Sequence, residues 1–307
     1  MIGIVILNYI NWDETTRCIN SIFSNETKCK YHIYVVDNAS PVGPTDEVNQ
    51  LLNDPRITFI QKKINDGYSA GNNVGIKQAI KDGCKEVLIS NSDILFEKDS
   101  IYQMWKFLNE NNSVGIVGPK IYLPDGNLQM INMGVKTGLK EKYMYLLRKT
   151  IFYPFVKEFV RKFCALDQDL TKPFEVHSVS GCCFMMSESC VKEITPFDEN
   201  TFLYQEELII GIRMEEKGYK TIYLPDSQIV HAHGQSTKHI KAFSYTCLVQ
   251  SEIYYFKYYI KSSIIALIPL LLIRAAKYFS FSIKDNDFRK NTGNFFLKTL
   301  STLIRKY

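Results

Sequence analysis

Short runs of apolar residues alternate with segments of helical spacing over the first 118 residues of the chain. These runs are four to six residues long, as expected for strands that are covered on both faces. They lie at residues 2–7, 33–36, 57–60, 87–90 and 114–117, and helical patterns begin at Asp13 and cover 70–81 and 99–110. Strands that alternate with helices in this way predict an α/β fold with a parallel sheet.

The periodicity changes after Pro119. Residues 136–172 are rich in Lys, Arg, Tyr and Phe, and we interpret them as a helical insertion beside the site. Regular structure is predicted again at 175–186, 205–217 (a helix), 221–224 and 229–231, and the pattern is helical beyond 240. We therefore predict a body over 1–240, divided into halves at 1–118 and 119–240, and a helical tail over 241–307.

Charge is distributed unevenly over the 307 residues, whose net charge is +5. The tail 241–307 carries 11 Lys and Arg against 3 Asp and Glu, a net charge of +8, which leaves −3 for the first 240 residues. A basic tail rich in aromatic residues favours contact with an anionic membrane surface. The alternative is a packed helical subdomain with solvated lysines. No sequence signature of nucleic-acid binding accompanies the basic residues.

Two further features concern location. The apolar run Ile264–Ile273 contains Pro269 and has 10 residues. As a helix it would measure roughly 15 Å, half of the bilayer core, so we expect it to lie in the interface without spanning it.

The eight cysteines form no CxxC pair, and the start Ile2–Leu7 lacks the basic region of a signal peptide. We therefore expect reduced thiols in a cytoplasmic protein.

Polar residues follow three successive strands of the predicted sheet: Asp37, then Asn65-Asp66-Gly67, then Asn91-Ser92-Asp93. Open α/β sheets bind ligands at the carboxyl ends of their strands, where Asp37 could accept hydrogen bonds from a ribose or a base. The alternative for Asp37 is a polar turn.

The glycine-containing segment 67–73 leads into a helix, whose free N–H groups favour a phosphate. The alternative here is a simple helix cap with glycines that let the backbone turn. Neither GxGxxG nor a P-loop occurs, so the usual glycine cradles for dinucleotides and triphosphates are excluded.

Asp93 and His231 are the candidate metal ligands, because each follows a predicted strand. One carboxylate, one imidazole and two diphosphate oxygens suit an octahedral divalent ion, and the imidazole favours Mn²⁺ over Mg²⁺. His233 is a rival ligand, since it would face the same side of an extended segment as His231. The alternatives are a turn role for Asp93 and a structural role for the buried imidazole.

Glu206 and Glu207 begin a predicted helix and form a candidate general base. The helix dipole lowers the pKa of a carboxyl group at this position, whereas burial and a neighbouring like charge raise it. The alternatives are an ordinary acidic first turn and an ion pair between Arg213 and either glutamate.

The order of these motifs resembles the family 2 glycosyltransferases with a GT-A fold, closest to a bacterial rhamnosyltransferase-like branch that builds surface polysaccharides such as capsule or O antigen. The resemblance covers residues 2–240. The segments that carry it are Val35–Ser40, Asn65–Asn73, Asn91–Asp93, Val179–Gly181, Phe197–Glu199, Phe202–Glu207, Gly218-Tyr219, Pro225, His231 and Ser236.

This resemblance implies a mixed, mostly parallel central sheet with flanking helices, a nucleotide-binding half over 1–118 and an acceptor half over 119–240. It also implies an inverting, metal-dependent transfer of a sugar, with rhamnose as one candidate, from a nucleotide-diphosphate sugar to a hydroxyl of a growing or lipid-linked glycan. Asp37 would hold the nucleoside, Asp93 and His231 the metal, and Glu207, beside Glu206, would be the base. The donor-binding set that we expect is Asn8, Asp37, Asn38, Asn65, Gly67, Gly71, Asn72, Asn91 and Ser92.

Departures from the family pattern concern the acids. Glu207 stands where the family usually has aspartate, Ile209 replaces a second acid, and Asn91 takes the first position of an Asp-x-Asp motif. A sugar-nucleotide-binding protein with little or no transfer is therefore a second interpretation. A nucleotidyltransferase is disfavoured, because the first strand leads to the segment 8–11 and not to a glycine-rich basic loop. We expect a peripheral protein at the inner face of the plasma membrane, with its oligomeric state open.

Overall fold

The computed structural model describes residues 1–26, 28–131, 134–232 and 240–305. In chain order its first elements are β1 (Ile2–Asn8), α1 (Trp12–Asn25), β2 (Tyr31–Asp37), α2 (Asp46–Leu52), β3 (Ile57–Gln61), α3 (Tyr68–Lys81), β4 (Val87–Asn91), β5 (Ile94–Phe96), α4 (Ser100–Glu110) and β6 (Val114–Tyr122). The next are α5 (Leu139–Leu147), α6 (Tyr153–Phe163), β7 (Phe174–Val176), β8 (Cys183–Met186), α7 (Glu188–Ile194), α8 (Glu206–Lys217) and β9 (Lys220–His231). The tail contains α9 (Lys241–Tyr254), a π-helical turn (Tyr255–Tyr259), α10 (Ile264–Lys284), α11 (Asn286–Lys290) and α12 (Thr292–Ile304).

The nine strands of the described chain form one mixed sheet in the order β3-β2-β1-β4-β8-β6-β9-β5, with β7 paired to β9. The strands β3, β2, β1 and β4 are parallel, as the alternation of strands and helices predicts. β8 then enters antiparallel between β4 and β6, and β5 and β7 are antiparallel to β9. The predicted α/β class and mixed sheet are confirmed, and α5 and α6 form the helical insertion.

Two details of the sheet differ from the sequence prediction. β5 was not predicted, because three residues are too few to show a periodicity. The predicted segments 221–224 and 229–231 are one continuous strand, β9. The register of β9 against β6 shifts between the pairs Pro119–Leu224 and Lys120–Gln228. This irregular stretch lies within the continuous strand β9.

Helices cover both faces of the sheet, and β1 illustrates how its residues divide between them. Ile2, Ile4 and Ile6 pack in a core cluster with residues of α1 and α4. Val5 points to the other face and packs in a cluster with residues of α3, α7 and α8. All four side chains are buried, which explains the unbroken apolar run of this strand.

The described part of the tail packs against the body through α8. Leu208, Ile209 and Ile212 of α8 share a core cluster with Leu267 and Leu270 of α10. The helix that contains the apolar run Ile264–Ile273 is longer than the roughly 15 Å expected from that run, because α10 has 21 residues. At about 31 Å, α10 is long and apolar enough to cross a membrane by length and composition alone.

Candidate active site

Asp37 lies at the carboxyl end of β2 and is fully buried. Its carboxylate accepts hydrogen bonds from Asn8 Nδ2 at 3.0 Å, from Ser40 Oγ at 2.5 Å and from the Ser40 backbone at 3.2 Å. Asn8 is held in turn by the Thr15 hydroxyl, which donates to its Oδ1 at 2.9 Å. The polar turn weighed as an alternative is therefore present, and binding of a nucleoside by Asp37 stays a prediction.

The segment before α3 is organised by two asparagines. Asn38 Nδ2 donates to Asn65 Oδ1 at 2.9 Å and to the Gly67 carbonyl at 3.1 Å, and Asn65 Oδ1 also accepts the Gly67 N–H. Gly67 has φ +102°, and a Cβ there would lie 2.4 Å from the Phe202 carbonyl oxygen. Glycine is therefore required at this position by both conformation and space.

The start of α3 is less open to a phosphate than the sequence suggests. The Tyr68 N–H already donates to the Phe202 carbonyl at 2.9 Å. A Cβ at Gly71 would lie 2.4 Å from Leu7 Cδ1, so this glycine permits close packing of α3 on β1. Asn72 is fully buried and donates to the Tyr68 carbonyl at 3.0 Å. These contacts give Gly71 a packing role that the sequence did not indicate, and phosphate binding here stays a prediction.

Asp93 and His231 come together because Ile94 of β5 pairs with His231 at the end of β9. Asp93 Oδ1 lies 3.4 Å from His231 Nε2, and both side chains are almost fully buried. His231 Nδ1 lies 3.1 Å from Gln129 Oε1, so its proton points to Gln129 and Nε2 faces Asp93. Residues 233–239, which include His233 and Ser236, lie outside the described residues.

The protonation of His231 depends on these neighbours. Burial lowers the pKa of His231, but hydrogen bonds with Asp93 and Cys182 outweigh burial and raise the pKa to about 10. A divalent ion would replace the proton at Nε2. Among the described residues no three His, Cys, Asp or Glu side chains cluster as a complete metal site. Two protein ligands agree with an ion whose other ligands come from a substrate diphosphate.

Glu206 and Glu207 begin α8 after two consecutive residues with positive φ, Tyr204 at +74° and Gln205 at +71°. Glu206 is 6% exposed, and its Oε1 has no hydrogen-bond partner among the residues that the structure describes. Glu207 is partly exposed, and its Oε1 accepts the Gly181 N–H at 3.2 Å. Arg213 donates from Nη1 to the Pro196 carbonyl, and the described contacts include no ion pair between it and either glutamate.

Burial decides the electrostatics of this pair. It raises the pKa of Glu206 well above the usual range, and the charge of Glu207 adds to the effect. Burial also raises the pKa of Glu207, against the Gly181 hydrogen bond, which lowers it. The more buried Glu206 therefore has the more strongly raised pKa, and the role of Glu207 as the base stays a prediction.

These groups lie along one edge of the sheet. Asn8 pairs with Asp37, Leu7 pairs with Asn91, and Ser90 pairs with Cys183, which places the segment before β8 beside the end of β4. The Cys182 carbonyl accepts the Asn91 N–H at 2.8 Å, and the adjacent Gly181 bonds Glu207. Segment 180–182 therefore joins the Asp93–His231 pair to the candidate base.

Comparison with known proteins identifies the kind of site. A model of glycosyl transferase family 2 matches residues 3–195. The chain belongs to this family. The sequence is 26% identical over 236 residues to a low-salt glycan biosynthesis hexosyltransferase, Agl10, of Haloferax volcanii, covering 76% of this chain and 67% of the relative. It is 23% identical over 247 residues to an N-acetylglucosaminyl-diphospho-decaprenol L-rhamnosyltransferase of Mycobacterium tuberculosis, covering 77% and 78%.

Solved structures agree in fold. A crystal structure of GalNAc-T7 with UDP, GalNAc and Mn²⁺ matches at a TM-score of 0.55 and 14% identity, over 75% of this chain and 43% of that one. Residues 1–349 of Staphylococcus aureus TarS match at 0.51 and 14% identity, over 99% and 81%. This chain thus spans less than half of the GalNAc-T7 chain. The predicted GT-A fold and the glycosyltransferase class are confirmed, which excludes the nucleotidyltransferase alternative.

Three residues of this family 2 glycosyltransferase were not among the predicted site residues. Gln129 orients His231, Gly181 bonds Glu207, and Tyr68 donates its hydroxyl to the Gly181 carbonyl at 2.5 Å. Tyr68 and Gly181 are in the segments that resemble the family, but no local pattern indicates a contact across 113 residues. Gln129 belongs to no recognisable motif.

Proposed function

We propose that this glycosyltransferase catalyses an inverting transfer of a sugar from a nucleotide-diphosphate sugar to a hydroxyl group of a lipid-linked glycan. One observation carries the proposal. The partly exposed carboxylate of Glu207 is bonded to segment 180–182, which also contacts His231 of the Asp93–His231 pair through Cys182. The proposed base and the proposed diphosphate site would thereby share one edge of the sheet.

Glu207 accepts the proton of the acceptor hydroxyl as that oxygen attacks the anomeric carbon. A bond forms between the acceptor oxygen and the anomeric carbon, and the bond from that carbon to the diphosphate oxygen breaks. The nucleoside diphosphate leaves from the opposite face, so the configuration is inverted. The raised pKa of Glu207 suits this role, because a base is most effective when its pKa approaches the working pH.

Asp93 and His231 are the residues that would hold Mn²⁺ or Mg²⁺. Their donor atoms are 3.4 Å apart, close to the separation of about 3 Å between neighbouring ligands of an octahedral ion with bonds of about 2.1 Å. When bound, the ion would offset negative charge on the departing diphosphate. Asn8, Asp37, Asn38, Asn65, Gly67, Gly71, Asn72, Asn91 and Ser92 are proposed to support the donor from the same edge.

The names of two relatives support a proposed acceptor and donor sugar. The M. tuberculosis relative is named for a diphospho-decaprenol acceptor and rhamnose, and the Haloferax relative for glycan biosynthesis. We therefore propose a polyprenol-type acceptor and rhamnose as the first donor sugar to test. The net charge of +8 on the tail 241–307 supports the proposed peripheral position at the inner face of the plasma membrane. Surface polysaccharides such as capsule or O antigen are the proposed products.

The test begins with thermal shift against a panel of nucleotide sugars with Mn²⁺, followed by transfer assays with the stabilising donor. Glu207→Gln is expected to lower kcat by roughly 10²–10⁴-fold while donor affinity is retained. Glu216→Gln, on the same helix, is the matched control and should transfer at the wild-type rate. Wild-type kcat in Glu207→Gln would remove Glu207 from the mechanism. Binding of donor without any transfer by the wild type would contradict the proposed reaction.

A further inference from the structure

The outward face of α10 is apolar along its whole length. Ile265, Ile268, Leu272, Ala276, Phe279 and Ile283 recur at spacings of three and four residues, so they form one stripe on the helix. The exposed fractions are 79% for Ile265, 65% for Leu272 and 75% for Ile283. A soluble protein rarely leaves so long an apolar stripe uncovered.

The opposite face of α10 is fixed to the protein. Leu267, Leu270, Arg274 and Tyr278 are buried, and Arg274 is the central residue of the helix. Its guanidinium donates to both carboxylate oxygens of Glu252 at 2.6 and 2.5 Å. If α10 crossed a bilayer, this charge would lie at the midplane, where arginine is costly, or the buried ion pair would have to separate.

A second apolar stripe adjoins the first. Leu297, Leu300 and Ile304 of α12 are 71%, 56% and 75% exposed and lie on one face of that helix. The rings of Phe279 in α10 and Phe296 in α12 are 5.5 Å apart, so the two helices meet beside their exposed faces. The apolar surface therefore extends across two neighbouring helices.

Cations flank this surface. Burial and the charges of Arg274, Lys149 and Arg148 lower the pKa of Lys277, so Lys277 lies near all three cations. Lys149 is followed by Ile151 and Phe155, which are 86% and 85% exposed. Apolar side chains thus continue next to the basic group at the end of α5.

The acids of the described tail are engaged within the protein. Glu252 is buried with Arg274 and Lys142, Asp285 pairs with Lys241 at 3.2 Å, and Asp287 accepts the Ala242 N–H at 2.9 Å. A second copy of the chain would bring like charges together around the stripe. An anionic lipid surface would match both the apolar face and its cations.

We infer that α10 and α12 lie in the plane of an anionic bilayer surface, with the stripe from Ile265 to Ile283 inserted among the lipids and Arg274 facing the protein. The inference deepens the membrane location proposed above. Because residues of α8 share a core cluster with the inner face of α10, the helix that begins with Glu206 and Glu207 would lie on the protein side of the docked helix. A lipid-linked acceptor would thereby stay close to the base.

Flotation of the full chain with vesicles of phosphatidylglycerol and phosphatidylethanolamine tests the docking. The wild type should float, and the double variant Ile265→Lys with Leu272→Lys should lose affinity by roughly tenfold or more. Val42→Lys with Ile64→Lys is the matched control, because these residues are 72% and 70% exposed on the body. The control should float like the wild type, and serine at 265 and 272 provides a milder variant if lysine impairs folding.

Two outcomes would overturn the inference: failure of the wild type to float, and a wild-type dimer that the double variant turns into a monomer without any vesicle binding. Labelled Ile265→Cys and Ile283→Cys variants distinguish lying from spanning. A quencher added outside the vesicles should reach both labels equally, and protection of one label alone would contradict an in-plane helix. Glu207→Gln should float normally, so a failure of docking is separable from a failure of the proposed reaction.

Discussion

Tyr68→Phe tests whether the Tyr68 hydroxyl positions Glu207 through its hydrogen bond to Gly181. The substitution removes only the hydroxyl that donates to the Gly181 carbonyl at 2.5 Å. Gly181 is buried, so its carbonyl loses this donor at a cost of about 1–3 kcal/mol. The same residue bonds Glu207 through its N–H, and a Cβ on it would lie 2.9 Å from Glu207 Oε1, so little movement is tolerated.

We expect the carboxylate of Glu207, the proposed base, to be less well oriented in Tyr68→Phe. If about 1–2 kcal/mol of that cost appears in the transfer step, kcat falls roughly 5–30-fold. The sign of the pH effect follows from the hydrogen bond, since the Gly181 N–H stabilises the ionised form and lowers the pKa of Glu207. Weakening that bond raises the pKa of Glu207, so the acid limb of the kcat profile should move to higher pH.

The assay is kcat and KM as functions of pH, with the melting temperature measured in parallel. Tyr143→Phe is the matched control, because its hydroxyl also donates to a backbone carbonyl, that of Ala266 at 2.9 Å, in an exposed position. It should leave kcat and the pH profile unchanged. A lower melting temperature for Tyr68→Phe with an unchanged acid limb and kcat would refute the positioning role.

Two more substitutions probe the donor side. Gln129→Ala removes the partner of His231 Nδ1, and Mn²⁺ affinity, measured by metal titration of transfer, should fall about 10–100-fold; unchanged affinity would mean that the ring is oriented without Gln129. Gly67→Ala should cost about 1–3 kcal/mol in the free energy of unfolding from its positive φ alone, with a further cost from the contact with the Phe202 carbonyl. Gly43→Ala, which has open space around it, is the control in denaturant unfolding, and equal stability of the two variants would contradict this account.

The surroundings of the paired glutamates are compatible with the proposed base, although Glu207 departs from the family pattern. An aspartate in place of Glu207 would be one methylene shorter and would need a different path to the Gly181 N–H. The longer side chain reaches that N–H at 3.2 Å while remaining partly exposed. Glu206 is buried instead, and burial raises its pKa more strongly than that of Glu207.

The local sequence pattern predicted much of the fold and the polar residues at the ends of three strands of the candidate site. The apolar runs of β1, β2 and β4 end at Asn8, Asp37 and Asn91, and a polar residue after a buried strand can be located from the sequence alone. Parallel pairing then brings these ends to one edge. The tail was predicted to be helical, but Arg274 interrupts its apolar run, so the length of α10 was underestimated.

The sequence by itself determined which segments become strands and helices and which polar groups stand at their ends, because both depend on neighbours within a few positions. Only the tertiary structure decided which distant residues meet. Gln129 and His231 are 102 residues apart, and Tyr68 and Gly181 are 113 apart. It also decided that Glu206 is buried while Glu207 stays accessible, and that α10 turns Arg274 inward and its apolar stripe outward. Packing of whole elements sets these outcomes, and no local spacing encodes them.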